Sequence, residues 1–351
     1  MHVLILTPGF PENESDTDCI PPMQEYLKEL RSTYPEINIS VIALHYPFRR
    51  SRYEWNGINV YACGGKGRKK PLRIIVWITG ILAALKINRK TGIDIVHSFW
   101  LNETAMLGSI ICKLIKVKHV STLMGQDAKE TNKYFKILKI KKIFTVAVSY
   151  FQAGVFKQSC KSEPDKIIPW GIKTFPVENS TRNIDLAGAG SLIPLKNFEL
   201  FLNIIKGLKK EFPLIRSVIM GDGEQKKYLE KKISEYGLGE NVNLAGHIKR
   251  ESVLSVMMKS KILLHTSHYE AFGYVIAEAL ASGCIVVCRP VGCARDCDGV
   301  TTVDEDNNFI NTVKNILLKE NNYKPRNLFP VEDTVKSYVS VYLNLLKLTV
   351  Y

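Results

Sequence analysis

The sequence has no apolar run long enough to cross a bilayer. Its longest, Ile74 to Leu85, is about a dozen residues and contains Gly80, against the roughly 20 that a spanning helix needs. A secretory leader is not legible either: Met-His-Val-Leu-Ile-Leu-Thr-Pro opens the chain without a basic stretch, so the expected location is the cytoplasm. Cys284, Cys288, Cys293 and Cys297 lack the CxxC pairs of common zinc sites, and Cys284 and Cys288 flank Ile-Val-Val in what reads as a buried strand. The eight cysteines therefore read as reduced core residues of a cytosolic protein, with no metal site expected. Tandem repeats and low-complexity tracts are absent as well.

Acidic residues are in deficit. There are 48 Lys and Arg against 34 Asp and Glu, a formal net charge of +14, which favours an anionic partner: nucleic acid, a membrane surface or a phosphorylated substrate. The basic residues cluster in the first half, at Arg49 to Arg52, Lys66 to Arg73 and Lys133 to Lys142. Apart from Tyr134-Phe135 in the last of them, these runs lack interleaved aromatics, so no nucleic-acid partner is expected. Lys69, Lys70 and Arg73 precede the long apolar run and Lys86, Arg89 and Lys90 follow it. That pattern fits a buried helix with wet ends, or a helix lying at an anionic membrane interface.

With 351 residues and 46% hydrophobic content, the chain suits two domains of about 150 to 200 residues. Strand-length apolar runs alternate with helical segments, the pattern of α/β parallel sheets wrapped by helices. His2 to Thr7, Ile37 to Ala43, Ile93 to Ser98, His119 to Leu123 and Ala147 to Ser149 make one set of strands. Ile184 to Ala187, Arg216 to Met220, Val242 to Ala245, Ile262 to His265 and Ile285 to Cys288 make another. Between them Ser159 to Arg182 is polar and proline-containing, and reads as the connection. The expected domains are 1–165 and 176–334.

In HTSHYEAFGYVIAEALASGCIVV, Glu270 follows the apolar strand Ile262 to Leu264, and Glu278 lies in the helical pattern of Val275, Ile276, Ala279 and Leu280. Both should face the crevice at the carboxyl end of an open sheet. A carboxylate among core residues is costly unless paired or holding a ligand. The amides of Phe272, Gly273 and Tyr274 open the helix, a ready place for a phosphate. A second strand, turn and helix joint runs from Ala187 through Gly188, Gly190, Ser191 and Lys196 to the amphipathic helix Phe198 to Lys210. Its glycines permit close approach to a diphosphate, and Lys196 supplies positive charge.

These segments, with Met220-Gly221-Asp222-Gly223 and Val242 to Gly246 in the same order, resemble the C-terminal domain of retaining glycosyltransferases of family 4. That family carries two glutamates with seven residues between them. The N-terminal half is similar more loosely, through Met1 to Leu6, Phe10-Pro11, Asp94 to His97, Gly125-Gln126-Asp127 and Ile168 to Gly171. The resemblance implies a GT-B fold: two Rossmann-like doubly wound domains facing a central cleft, with a final helix at 335–351 packing back on the first. It implies transfer of a sugar from a nucleotide-diphosphate sugar to an acceptor hydroxyl, with retention, no metal and no cofactor. Glu278 would hold the ribose hydroxyls and Glu270 those of the donor sugar, while Lys196 balances the diphosphate. Gly190, Ser191 and Gly221 would line the donor. Gly125 and Asp127 resemble the loop that faces the donor sugar from the first domain, so Glu270, Lys196 and Asp127 are the catalytic candidates.

Three positions depart from the family. Ser191 stands where an arginine is usual, Met124 where a histidine often precedes Gly-x-Asp, and Glu12 to Cys19 replaces a glycine pair. One lost charge-assisted phosphate contact, worth about 1.5 to 3 kcal/mol, lowers donor affinity by one or two decades. A glycan or lipid-linked acceptor is expected, in cell-surface polysaccharide or glycolipid synthesis, peripheral at the inner membrane face. Two other readings are a GT-B sugar-nucleotide epimerase and a non-catalytic sugar- or nucleotide-binding subunit. Asp16-Thr17-Asp18 has the form of a GT-A metal motif, but lies in a loop after the first strand, the wrong place for it.

Overall fold

The computed structural model describes residues 1–65, 70–176 and 181–347, with backbone alone for 70–72. Part of the basic run Lys66 to Arg73, part of the connection Ser159 to Arg182, and the end of the final helix segment lie outside the described residues. The chain divides into two compact units, Met1–Gly171 with Val331–Tyr351, and Ile172–Pro330.

In the first unit, β1 (His2–Gly9) leads to α1 (Pro21–Thr33), β2 (Asn38–Tyr46), β3 (Ser51–Trp55), β4 (Ile58–Ala62), α2 (Lys70–Thr91) and β5 (Ile95–Phe99). Then come α3 (Glu103–Ile115), β6 (Lys118–Thr122), β7 (Phe144–Ala147), α4 (Tyr150–Cys160) and β8 (Lys166–Ile167). Among the described residues these strands form one sheet in the order β3-β4-β2-β1-β5-β6-β7-β8. Val3 to Leu6 are fully buried because β1 is central and covered on both faces, which is why it reads as unbroken apolar sequence. The strand order reverses between β1 and β5.

Two elements differ from the sequence reading. Ser149 is not in a strand: β7 ends at Ala147 and the Ser149 hydroxyl accepts from the Gln152 amide at 3.0 Å, capping α4. The β3–β4 hairpin was unanticipated. It turns on Asn56-Gly57, both at positive φ (46° and 75°), the two-residue turn that this dipeptide favours.

The second unit runs β9 (Ile184–Ala189), α5 (Phe198–Leu208), β10 (Ser217–Met220), α6 (Lys226–Glu235), β11 (Val242–Gly246) and α7 (Arg250–Met258). It continues with β12 (Ser260–His265), α8 (Tyr274–Ala281), β13 (Ile285–Cys288), β14 (Val300–Thr302) and α9 (Asn308–Leu317). Its strands are all parallel, in the order β11-β10-β9-β12-β13-β14. The chain winds outward from β9 to β11 on one side, then returns to β12 and winds out on the other. The order therefore reverses between β9 and β12. Phe201, Ile205, Ile219, Leu229, Ile262 and Phe309, all buried, belong to the core that holds helices to this sheet.

The last helix, α10 (Val331–Lys347), belongs to the first unit and packs on α1. Its Tyr342 hydroxyl lies 2.6 Å from His97 Nδ1 and 2.9 Å from the Tyr26 hydroxyl, and Tyr338 lies 2.9 Å from Thr122 Oγ1. The other His97 nitrogen meets Thr122 at 2.8 Å. Burial holds His97 well below its ordinary pKa, so the ring is neutral and each polar atom of the group has a partner.

Candidate functional site

In the second unit the residues singled out in the sequence gather at the carboxyl ends of β9, β10 and β12, around the point where the strand order reverses. Open α/β sheets leave a crevice there, since neighbouring connections depart to opposite faces. Lys196 follows β9 and Glu270 follows β12, and their side chains meet at 2.5 Å. The ion pair thus bridges the reversal point. Glu270 also meets Nε2 of His265, the last residue of β12, at 3.0 Å. Burial would raise the Glu270 carboxyl, but the His265 hydrogen bond and the Lys196 charge outweigh it and hold the group at about 2. It is a carboxylate at every working pH.

The loop that carries Lys196 is fixed from beneath. The Thr266 hydroxyl donates to the carbonyls of Lys196 at 3.1 Å and Asn197 at 2.9 Å, and the His268 amide donates to Leu195 O at 2.9 Å. Gly190, at φ +146°, has no side chain beside the Lys196 stem; a Cβ there would sit 3.5 Å from Cε. Gly221 is constrained far more. A Cβ on it would lie 1.9 Å from the Gly190 carbonyl oxygen at φ +151°, so glycine here lets two chain segments touch. Ser191 is exposed at the same turn. Asp222, although it stands shortly before α6, does not cap it. It accepts from the Gly223 amide at 2.7 Å and lies 3.8 Å from Lys226 Nζ, while Gln225 holds the cap position.

Glu278 lies on the second turn of α8 and is buried, with Arg250 Nε donating to it at 2.8 Å. The Arg250 guanidinium also stands 5.7 Å from the Tyr274 ring centre. Gly273 precedes α8 at φ +81°, and among the described residues the Phe272 and Gly273 amides donate to no other backbone group. The Phe272 and Gly273 amides thus lack a backbone acceptor at the helix start, the condition under which a helix start attracts an anion. The Phe272 carbonyl faces the other way and accepts from the Cys293 amide at 2.7 Å. Cys293 itself is hydrogen-bonded to Cys297, which together with burial raises its thiol well above the ordinary value and keeps it inert.

The first unit holds the other two candidates. Asp127 follows β6, and its carboxylate accepts from the amides of Leu101 at 2.7 Å, Gly125 at 2.7 Å and Met124 at 3.2 Å. Burial raises its pKa, while those amides pull the other way. Its oxygens thus shape the loop that presents Gly125. In the loop after β1, Asp16 accepts from the Tyr46 hydroxyl at 2.8 Å and the Cys19 amide at 3.2 Å, so it serves that loop.

Sequence reasoning missed Arg250 and His265. Arg250 sits in Lys249-Arg250-Glu251, which reads as a solvated charge run. The available signal was Glu278 itself, since a carboxylate among core residues calls for a cation. His265 ends an apolar strand and reads as part of it.

Residues 174–316 match the sequence model of glycosyl transferases group 1, somewhat under half of the chain. The segment contains every site residue of the second unit. Among curated proteins, the gpi3 subunit of phosphatidylinositol N-acetylglucosaminyltransferase from Schizosaccharomyces pombe is 30% identical over 129 residues, 37% of this chain and 28% of that one. The chain spans less than two thirds of the length of the curated relatives it matches. Among solved structures, a sucrose-phosphate synthase from Thermosynechococcus elongatus superposes with a TM-score of 0.78 at 15% identity, over 99% of both chains. HepE of Anabaena in complex with UDP-glucose does so with a TM-score of 0.69, also at 15% identity and over 99% of both chains. The chain has the GT-B fold of these glycosyltransferases, as the sequence implied.

Proposed function

We propose that the protein is a retaining glycosyltransferase that moves a sugar from a nucleoside diphosphate sugar to an acceptor hydroxyl without a metal. The observation that carries the reading is the Lys196–Glu270 pair across the strand-order reversal, beside the open start of α8. The group 1 match over that segment and the UDP-glucose in HepE support it.

The difficult step is breaking the bond between the anomeric carbon and the diphosphate oxygen. Lys196 and the amides at Phe272 to Tyr274 stabilise the negative charge that develops there, with the turns at Gly190, Ser191 and Gly221 lining the diphosphate. Glu270 turns from Lys196 to the hydroxyls of the donor sugar, and Glu278, fixed by Arg250, holds the ribose hydroxyls. The acceptor oxygen bonds to the anomeric carbon on the face the diphosphate leaves, and its proton passes to the departing phosphate oxygen. Asp127 acts as a positioning residue that holds the Gly125 loop.

The acceptor we assign is a lipid-linked or glycan hydroxyl, in polysaccharide or glycolipid synthesis at the cytoplasmic face of a membrane. The basic first unit supports a membrane-proximal acceptor, as does the relative whose name specifies phosphatidylinositol.

The test is thermal unfolding against UDP-, GDP- and ADP-sugars, with and without chelator, for the native protein and Glu278→Ala. Donor at 100 times its dissociation constant should add about 2.7 kcal/mol. A chelator-insensitive shift for one nucleotide, lost in the variant, is the expected result. A donor site of this kind is ruled out if no nucleotide sugar shifts the transition. Binding without transfer to any acceptor would favour a non-catalytic subunit.

A further inference from the structure

Helix α2 is apolar on both sides, and the first unit covers one of them. Val76, Ala84 and Ile87 are buried in the core between α2, α3 and the sheet, and Gly80 lets the Leu107 side chain approach closely. On the outer side Ile74, Ile75, Ile78 and Leu82 are 53, 48, 50 and 59% exposed. Positions 74, 78 and 82 follow the i, i+4, i+8 row of a helix, with Ile75 beside them, so these residues form one stripe. On α3, Ile110 and Leu114 repeat the pattern one turn apart, at 40 and 55% exposure. A soluble surface rarely leaves a whole helical stripe of large aliphatic side chains open to water.

The charge around the stripe identifies what covers it. The same row continues at Lys86, and Arg73, Arg89 and Lys90 are exposed at the two ends. The α2 sequence contains no Asp or Glu. No helix among the described residues is long and apolar enough to cross a membrane. An apolar stripe with a cationic rim, on a helix whose apolar stretch is too short to span, fits an anionic bilayer surface, with aliphatic side chains among the acyl chains and cations at the headgroups. A second copy of the chain would bring the same positive rim against this one.

We infer that α2 is the membrane-docking element of the first unit, and that its partner is an anionic lipid surface. This deepens the membrane-proximal part of the proposed function, but docking requires neither donor nor transfer.

The experiment is co-sedimentation of the full chain with phosphatidylcholine vesicles, with and without about a third phosphatidylglycerol, at low and high salt. The comparison proteins are Ile74→Ser/Ile78→Ser/Leu82→Ser and Lys86→Glu/Arg89→Glu/Lys90→Glu. The native protein should bind the anionic vesicles and release with salt. The serine variant should lose binding by more than about tenfold, since several aliphatic groups leave the bilayer together. Its thermal transition should stay put, because the replaced side chains already face water. The charge-reversed variant should lose the preference for phosphatidylglycerol. Three outcomes overturn the inference: no native binding at low salt, unchanged binding in the serine variant, or a native dimer by light scattering that the serine variant dissociates. Transfer to a soluble acceptor, assayed in parallel, separates the claims: lost docking with intact transfer sinks only the inference, and the converse sinks only the reaction.

Discussion

Replacing Lys196 by Met removes one cation from Glu270 while keeping the length of the side chain. The carboxyl is held at about 2 against an ordinary 4.5, and the side chain is 14% exposed. That difference corresponds to about 3 kcal/mol of folding free energy. His265 and Lys196 share the favourable part, so Lys196→Met should cost roughly 1 to 2 kcal/mol at neutral pH. The folded value lies below the unfolded one, so this stabilisation is complete above about pH 4.5 and disappears as the pH falls through about 2. The assay can be made selective for the second unit. All four tryptophans, Trp55, Trp77, Trp100 and Trp170, lie in the first unit, so their fluorescence follows that unit while far-ultraviolet circular dichroism follows both. In urea, the dichroism transition of the variant should move down by roughly 0.5 to 1 M at pH 7 while the tryptophan transition stays put. The gap should shrink toward pH 2. Equal midpoints at pH 7, or a gap that widens in acid, would show that the pair does not hold Glu270 as described.

Three further substitutions probe other parts of the molecule. Gly221→Ala should destabilise the second unit by more than about 3 kcal/mol or prevent folding, because its new methyl meets the Gly190 carbonyl oxygen; urea titration or soluble yield reads this. Gly154→Ala on α4 has nothing within 4 Å of the added carbon, so it should gain about 0.5 to 1 kcal/mol by helix propensity in the same titration. Asp127→Ala leaves the amides of Leu101, Gly125 and Met124 without their acceptor and should cost about 1 to 3 kcal/mol, read on the tryptophan transition.

Much of the second unit was legible because its inner strands are largely buried, so Ile262 to Leu264 and Ile285 to Val287 read as unbroken apolar runs. Glu270 and Lys196 were legible as residues at strand-to-helix joints. Their contact was not, since it depends on β9 and β12 being neighbours in the sheet although β10 and β11 lie between them in the chain. Arg250 was hidden for the opposite reason: its neighbours are charged, and a charge run reads as a wet surface. The β3–β4 hairpin is hidden because Arg49 to Arg52 reads as a wet charge run, although Asn56-Gly57 marks the turn. The exposed side of α2 could not be read at all, because apolar residues all round a helix do not say which side the rest of the chain covers.

The crossing points between the units have a consequence for construction. Ile172 pairs with Pro330 as an isolated parallel bridge, so the second unit begins and ends at one spot. Gly171 is pressed so closely on Val331 that a Cβ would lie 2.2 Å from its Cα, so the two pieces of the first unit also meet at a single seam. The second unit is a continuous passage of chain set between adjoining ends, with Tyr338 and Tyr342 anchoring the return segment to His97 and Thr122. Such a module can be lifted out or exchanged by cutting and rejoining at that seam. One basic first unit could thereby be joined to a different second unit without a new connection having to be built.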